Sequence, residues 1–472
     1  MKLLHLNIVF LLLIAVSAFS QEKVELKNAD QLQGSVKDGK NVREATGNVI
    51  LQQGNITVYC NSATQYIDDN MVDLRGNVRI IQDTLTLLTS HGMYYGNEKR
   101  ATGNGGITLK DQNATLTASS GVYYFNEAKA IFNGNVHVVN PEYDITSDKL
   151  TYFRNTEDSY ADGNVTVTTD SAIVTAEKVD FFKRQGKTQA YQNAKLVSDS
   201  TIITADTLTN FSHEKKSYAT GNVKIVSENN NTIVFGDYLE NYEKENHTKV
   251  TGHARLIYAE EDKDTLFIYS KSMEAFRNDP EYYVATDSVE TIRGDFLSKS
   301  GLSTYYADSE TVSLSILPIV WQNDSQMTGD SIYADLPGKK LQTIYIRKLE
   351  ELPGTRSSFV ISQNAEEGFP DRYNQVKGTD ITMHFQDEKI HNVDVTGSAQ
   401  SIYYLFEEKK ANGVNRAEGK NMKIDFDDDE QVVKIVLESD PEGQYIPEIK
   451  IPGENLILNG FDFREDKPEK QY

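Results

Sequence analysis

The sequence predicts an all-β chain, an elongated solenoid-like stack of strands built from 29-residue repeats. Three observations predict it. Gly47, Gly76, Gly105, Gly134 and Gly163 recur every 29 residues, and Gly221 returns to that register after Gln192 has occupied it once. An apolar pair follows each glycine at period two, the spacing that places side chains on one face of a strand. A column of aromatics, Tyr66, Tyr95, Tyr124, Phe153, Phe182 and Phe211, repeats with the same period, as suits side-chain ladders between stacked strands.

The chain opens on a basic residue, Lys2, an apolar run from Ile8 to Val16 and the small-residue site Ala18-Phe19-Ser20. This predicts a secretory signal over residues 1–20, cleaved before Gln21 and leading to the periplasm. The run is short of the roughly 20 residues that a bilayer span needs. No Cys follows it, so a lipoprotein anchor is not expected. Residues 21–40 read as a lead-in and 41–260 as the regular repeats.

Within a repeat, the Gly-Asn step reads as a tight turn, because both residues tolerate positive φ. A short strand then carries the inward pairs Val49 and Leu51, Val78 and Ile80, Ile107 and Leu109, Val136 and Val138, Val165 and Val167, and Val223 and Ile225, with Leu196 in the weak repeat. A second strand enters through Val58, Leu87, Leu116, Ile145, Val174 and Ile203. Two positions on come small residues, Cys60, Thr89, Ala118, Ser147, Ala176 and Ala205. Cys60 is the single cysteine, so no intramolecular disulfide exists, and its register marks it as a small inward residue rather than a reactive thiol. Residues 261–350 and 376–463 read as diverged copies separated by a loop or linker at 351–375, and the stretch after Pro447, with Pro452-Gly453 and the polar tail 464–472, reads as frayed.

A net charge of -22, from 70 acidic and 48 basic residues, excludes a nucleic-acid partner, which needs a basic footprint. An anionic ligand must therefore be held by its apolar part. The eight histidines are scattered, and no motif for a nucleophile, phosphate loop or metal is present, so neither catalytic residues nor cofactors are expected. The polar column with Asp148, Glu177 and Asp206 reads as turn-capping, because like charges on rungs about 4.8 Å apart repel without a cation between them. Asp427-Asp428-Asp429-Glu430 reads as a solvated turn that lacks the ligand spacing of a calcium loop.

The Ala-Thr-Gly-Asn-Val pattern at residues 45–49 and 219–223, followed by the strand that enters through Thr204-Ala205-Asp206, resembles the OstA-like family of lipopolysaccharide-transport proteins, the LptA family. The resemblance covers about residues 40 to 258. It implies an incomplete β-jellyroll, a V-shaped stack of antiparallel strands whose interior shields lipid acyl chains. It also implies head-to-tail pairing of strand edges, with other copies or with inner- and outer-membrane transport components. By position, the inward aliphatics named above become lipid contacts. This chain is longer than a typical carrier of that family, and its end carries no alternating membrane-barrel strand. Two other readings stay open: a closed β-solenoid that binds a protein or glycan on its outer face, and a polysaccharide-acting β-helix that uses the Asp column.

Overall fold

The computed structural model describes residues 22–470 other than 38, 113, 230, 262, 350–355, 365–367, 388 and 408–409. The expected signal lies outside the described residues. Among those described, the chain forms 32 strands and three short 3-10 turns. They fall into two compact units: residues up to Asp170 with Phe182–Arg184, and Ser171–Phe181 with everything from Gln185 on. Each unit is a jellyroll-like stack of antiparallel strands.

In the first unit one repeat is two long strands, such as Met71–Gln82 and Leu85–Tyr95, paired in antiparallel register. Two-residue turns (54–55, 83–84) alternate with four-residue turns (67–70, 96–99). The Gly-Asn step is not one of these turns, which corrects the expectation from sequence. Gly47 (φ 79) and Asn48 (φ 44) lie in the middle of the strand Lys40–Gln53, and the register shifts between Thr46 and Val49. Two successive left-handed residues form a bulge that bends the strand without ending it. Asn77, Asn135, Asn164 and Asn222 repeat this conformation beside their glycines, and Gln192 with Asn193 reproduces it without glycine.

The polar column caps these bulges. Asn164 Nδ2 donates to Asp148 Oδ2 (2.8 Å), Asn222 Nδ2 to Asp206 Oδ2 (3.0 Å) and Asn135 Nδ2 to Ser119 Oγ (3.2 Å), while His253 Nδ1 lies 2.9 Å from Asp237 Oδ2. Each capped bulge lies on the strand that follows its acid, so column members are separated by an intervening strand. The same alternation interrupts the aromatic column with cations: Arg100 lies 3.6 Å from the centroid of Tyr95, and Lys129 lies 5.6 Å from that of Phe153. Direct ring stacking enters only later, with His247, Phe276 and Tyr282 at centroid separations of 4.4 and 4.6 Å.

In the second unit the strand Phe296–Tyr306 marks a change. Its first half pairs with Ile319–Gln322 and its second half with Thr311–Ser315. Separate short strands continue each half until Lys389–Glu407 and Lys410–Phe426 span both again. Between the halves lies a cluster with Val320, Met327, Ile346, Ile381 and Val395. The expected linker 351–375 contains the strand Ser358–Asn364 and the start of Phe369–Gly378. Its alternating residues Phe359 and Ile361 are buried, which a loop reading based on Pro353-Gly354 and Pro370 overlooked.

The end of the chain is also bound rather than frayed. Gln375 Nε2 donates to the Leu456 carbonyl, and Gln375 Oε1 accepts from the Leu458 amide, both at 2.9 Å. Gln326 treats Asp462 and Arg464 in the same way, at 2.6 and 2.7 Å. Leu456 and Leu458 join Phe359, Ile361, Ile402 and Val414 in a second cluster, against which Phe461 and Phe463 pack.

The bulge makes a direct stability prediction. At Gly163 (φ +82) an added Cβ would lie 2.6 Å from Asp148 Oδ2, whereas nothing lies within 4 Å at Gly453. Gly163→Ala is expected to cost about 1–3 kcal/mol in urea unfolding, and Gly453→Ala no more than about 0.5 kcal/mol.

Candidate functional site: the apolar interior

The structure divides the predicted inward residues by exposure. Val49, Leu51, Val58, Val78, Ile80, Leu87, Ile107, Leu109, Leu116, Val136, Val138, Ile145 and Val165 are all buried in the first unit, none more than 6% exposed. Val223 of the second unit is buried as deeply. Val167, Val174, Leu196, Ile203 and Ile225 are half-buried.

A column that the sequence reading passed over accounts for much of the division. Tyr94, Tyr123 and Tyr152 are 29 residues apart, each directly before a member of the aromatic column. They alternate across the strands with Ala101 and Ala130. Tyr94 and Tyr123 are fully buried, and Phe125 packs edge-on to both. Tyr94 donates to Gln53 Oε1 (2.6 Å), and Gln53 Nε2 donates to the Gly96 carbonyl (2.9 Å) and to that of Glu22. Gln65 and Asn70 hold Val24. These rings and the incoming chain fill the interior beside the first strands. The doubled aromatics, Tyr94-Tyr95 and Tyr123-Tyr124, were the available signal.

Further along the first unit the filling is incomplete. A cavity of about 300 Å³ is lined by Leu116, Val138, Ile145 and Leu150, with Tyr143, Tyr152, Asp111, Arg154 and Glu157 among its polar lining. Arg154 Nε donates to Asp111 Oδ2 (2.7 Å) and Arg154 Nη2 to Thr84 Oγ1 (2.7 Å). Burial works to raise the Asp111 pKa, but hydrogen bonds from Arg154 and the Gln112 amide bring it below the ordinary value. Burial pushes the Tyr143 phenol up to about 12, so it is neutral at physiological pH. The cavity therefore combines an aliphatic floor with a polar rim whose one ion pair is already made.

The second unit is more open. At the next positions of the tyrosine column stand Phe181 and then Asn210. The row paired with Asn210 is small and polar: Thr188, Ser217, Asn241 and Thr248. Ser217 donates to Asn210 and Thr248 to Asn241, at 3.0 and 2.8 Å. On the other half of the same strands, Leu196, Ile203, Ile225, Val234, Leu256 and Ile268 pair in register across six strands, and all are half-buried. At about 4.8 Å per strand this stripe is roughly 24 Å long. Beneath it Ala205, Ala219, Val223, Leu239, Val250 and Ala254 form the buried floor. Small floor residues leave the aliphatic walls with an unfilled side.

None of these surfaces brings a nucleophile to a base. Among the described residues, no group of three or more His, Cys, Asp or Glu side chains could hold a metal ion. Asp427 Oδ1 accepts from the amides of Asp429 and Gln431, the self-contained turn expected there. Burial pushes the Cys60 thiol up to about 11.

Two outcomes are expected. Native protein at pH 8 should leave Cys60 unmodified by a thiol-reactive disulfide reagent, while the urea-unfolded chain reacts stoichiometrically, since only the thiolate attacks. Phe132 is fully buried on the strand Lys129–Asn140, between Gly121 and Leu150, and Phe132→Ala should cost about 3–5 kcal/mol in chemical denaturation. Ile225→Ala, on the half-exposed stripe, should cost under about 2 kcal/mol.

A sequence-family profile described as OstA-like protein matches residues 21–120 and again 102–148. Over residues 21–148 the chain is similar to OstA-like proteins. The matched residues include the buried Tyr94 and Tyr123 as well as the cavity wall at Leu116, Val138 and Ile145. Among solved structures, the chain is similar to LptH of Pseudomonas aeruginosa, titled the LptA homologous periplasmic component of the conserved lipopolysaccharide transport device. Identity is 15%, the alignment covers 31% of this chain and 82% of that one, and the TM-score is 0.18, too low to relate the two folds. No curated protein matches the chain.

Proposed function

We propose that the chain is a non-catalytic periplasmic carrier or bridge for lipopolysaccharide or a related acylated lipid, delivering it toward the outer membrane. The half-buried stripe Leu196, Ile203, Ile225, Val234, Leu256 and Ile268 above an alanine-rich floor carries the reading. The OstA-like segment and the export signal read from residues 1–20 support it. Burial of about ten methylenes at about 0.8 kcal/mol each contributes about 8 kcal/mol. That exceeds the repulsion of about 1 kcal/mol per charge expected between an anionic headgroup and this acidic chain. Acyl chains thus bind through the second unit's trough and the first unit's cavity at Leu116, Val138 and Ile145, while the deeply buried aliphatics from Val49 to Leu109 act as core.

The exposed strand Gln31–Lys37 pairs with Lys40–Gln53, and Val432–Glu438 pairs with Lys410–Phe426. Both present edges suited to pairing with other copies or with membrane transport components. A structural role is favoured for the start of the first unit by its filled interior.

The test is site-specific crosslinking with a diazirine-bearing lipopolysaccharide precursor. Photoreactive residues at Ile225 and Leu196 should be labelled, whereas Lys224 and Val49 should not. Equal labelling at Lys224 and Ile225 would reject the interior as the lipid site.

A further inference from the structure

The outer face of the second unit carries its own apolar row. Val197, Ile202, Val226, Ile233 and Ile257 pair in register from strand to strand, and the row continues through Phe267, Ile292, Leu297 and Trp321 to Gln326 and Gln375. These residues alternate with the interior stripe, so they face away from it. In the first unit the equivalent outer row is mixed, running through Gln52, Thr57, Ile81, Thr86 and Lys110.

The C-terminal segment follows this row and shows what it binds. Leu456 and Leu458 are held at Gln375, Asp462 and Arg464 at Gln326, and the Arg464 carbonyl accepts from Trp321 Nε1 at 3.1 Å. Lys299, in the flanking row, lies 3.4 Å from Asp466, and Lys470 reaches the ring of Phe267 at 5.2 Å. Ile292, between Phe267 and Leu297 in the row, is 4% exposed. Beyond Phe267, all five aliphatics from Val197 to Ile257 are half-buried. The row beside them runs Lys195, Thr204, Lys224, Phe235 and Arg255, with Lys224 and Arg255 at 5.8 and 4.3 Å from the Phe235 ring centroid, and the same row leads to Lys299 beside the bound segment.

We propose that Val197, Ile202, Val226, Ile233 and Ile257 form a docking site for an extended segment of a partner protein, with apolar residues at alternate positions and acidic residues between them. Continuity with the track of the bound C-terminal segment sets the occupant's chemistry: an extended backbone, apolar side chains against the row and carboxylates toward the flanking cations. The site is separate from the interior, so its occupation is independent of lipid.

A fluorescein-labelled peptide of residues 455–466 serves as the probe, with anisotropy read against the full chain. The peptide should bind, Ile233→Lys should weaken binding at least tenfold, and Lys224→Glu should weaken it about threefold. Ile233→Ser, with an unchanged thermal midpoint, should lower affinity in the same direction and so separates loss of the site from loss of folding. No binding to the wild type, or equal binding to wild type and Ile233→Ser, overturns the proposal. Binding lost in Gln326→Ala/Gln375→Ala but unaffected by Ile233→Lys also overturns it, since the peptide would then be replacing the resident segment. A dimer formed without peptide and abolished by Ile233→Lys would assign the row to a second copy instead.

Discussion

The structure depends on a two-residue left-handed bulge placed in the middle of every second long strand of the repeats. Gly at the first position accepts φ near +75°, and Asn at the second accepts φ near +48°. The bend lets one strand contribute to two facing walls, so an antiparallel meander encloses an interior that a flat sheet would not. The Asn side chain of the bulge donates to an Asp or Ser of the preceding strand, which ties the bulge to its neighbour. The 29-residue period is the distance between equivalent bulges on alternate strands.

With the walls fixed, the identity of a few side chains decides what lies between them. Tyr94, Tyr123 and Phe132 are fully buried and fill part of the first unit's interior. Asn210, Ser217 and Thr248 occupy the same kind of position in the second unit and reach too little across to fill it. Half of the floor there is alanine, and the aliphatic walls above it remain half-exposed. Packing volume, rather than a change of fold, separates a core from a trough.

The C-terminal segment shows the same economy on the outer surface. Gln326 and Gln375, each 1% exposed, would be orphaned amides in an apolar face without the backbone they hold. Each offers a donor and an acceptor two residues apart along the bound chain, reproducing with a side chain what a neighbouring strand supplies with its backbone.

The sequence by itself determined the β architecture, the repeat and the face on which most inward aliphatics lie, because period-two alternation and positive-φ residues act locally. It misread the Gly-Asn step as a turn: the same dihedrals serve a turn or a bulge, and only pairing with the neighbours distinguishes them. It missed Phe359 and Ile361 within the expected linker, and it left the end of the chain unbound, since the glutamines that hold Leu456 to Arg464 are more than 80 residues away in sequence. Whether an inward aliphatic is sealed or exposed was likewise settled by tertiary structure. Leu51 and Ile225 share one register, yet Leu51 is sealed and Ile225 half-exposed, because of what stands opposite, a volume that the strand's own alternation does not encode.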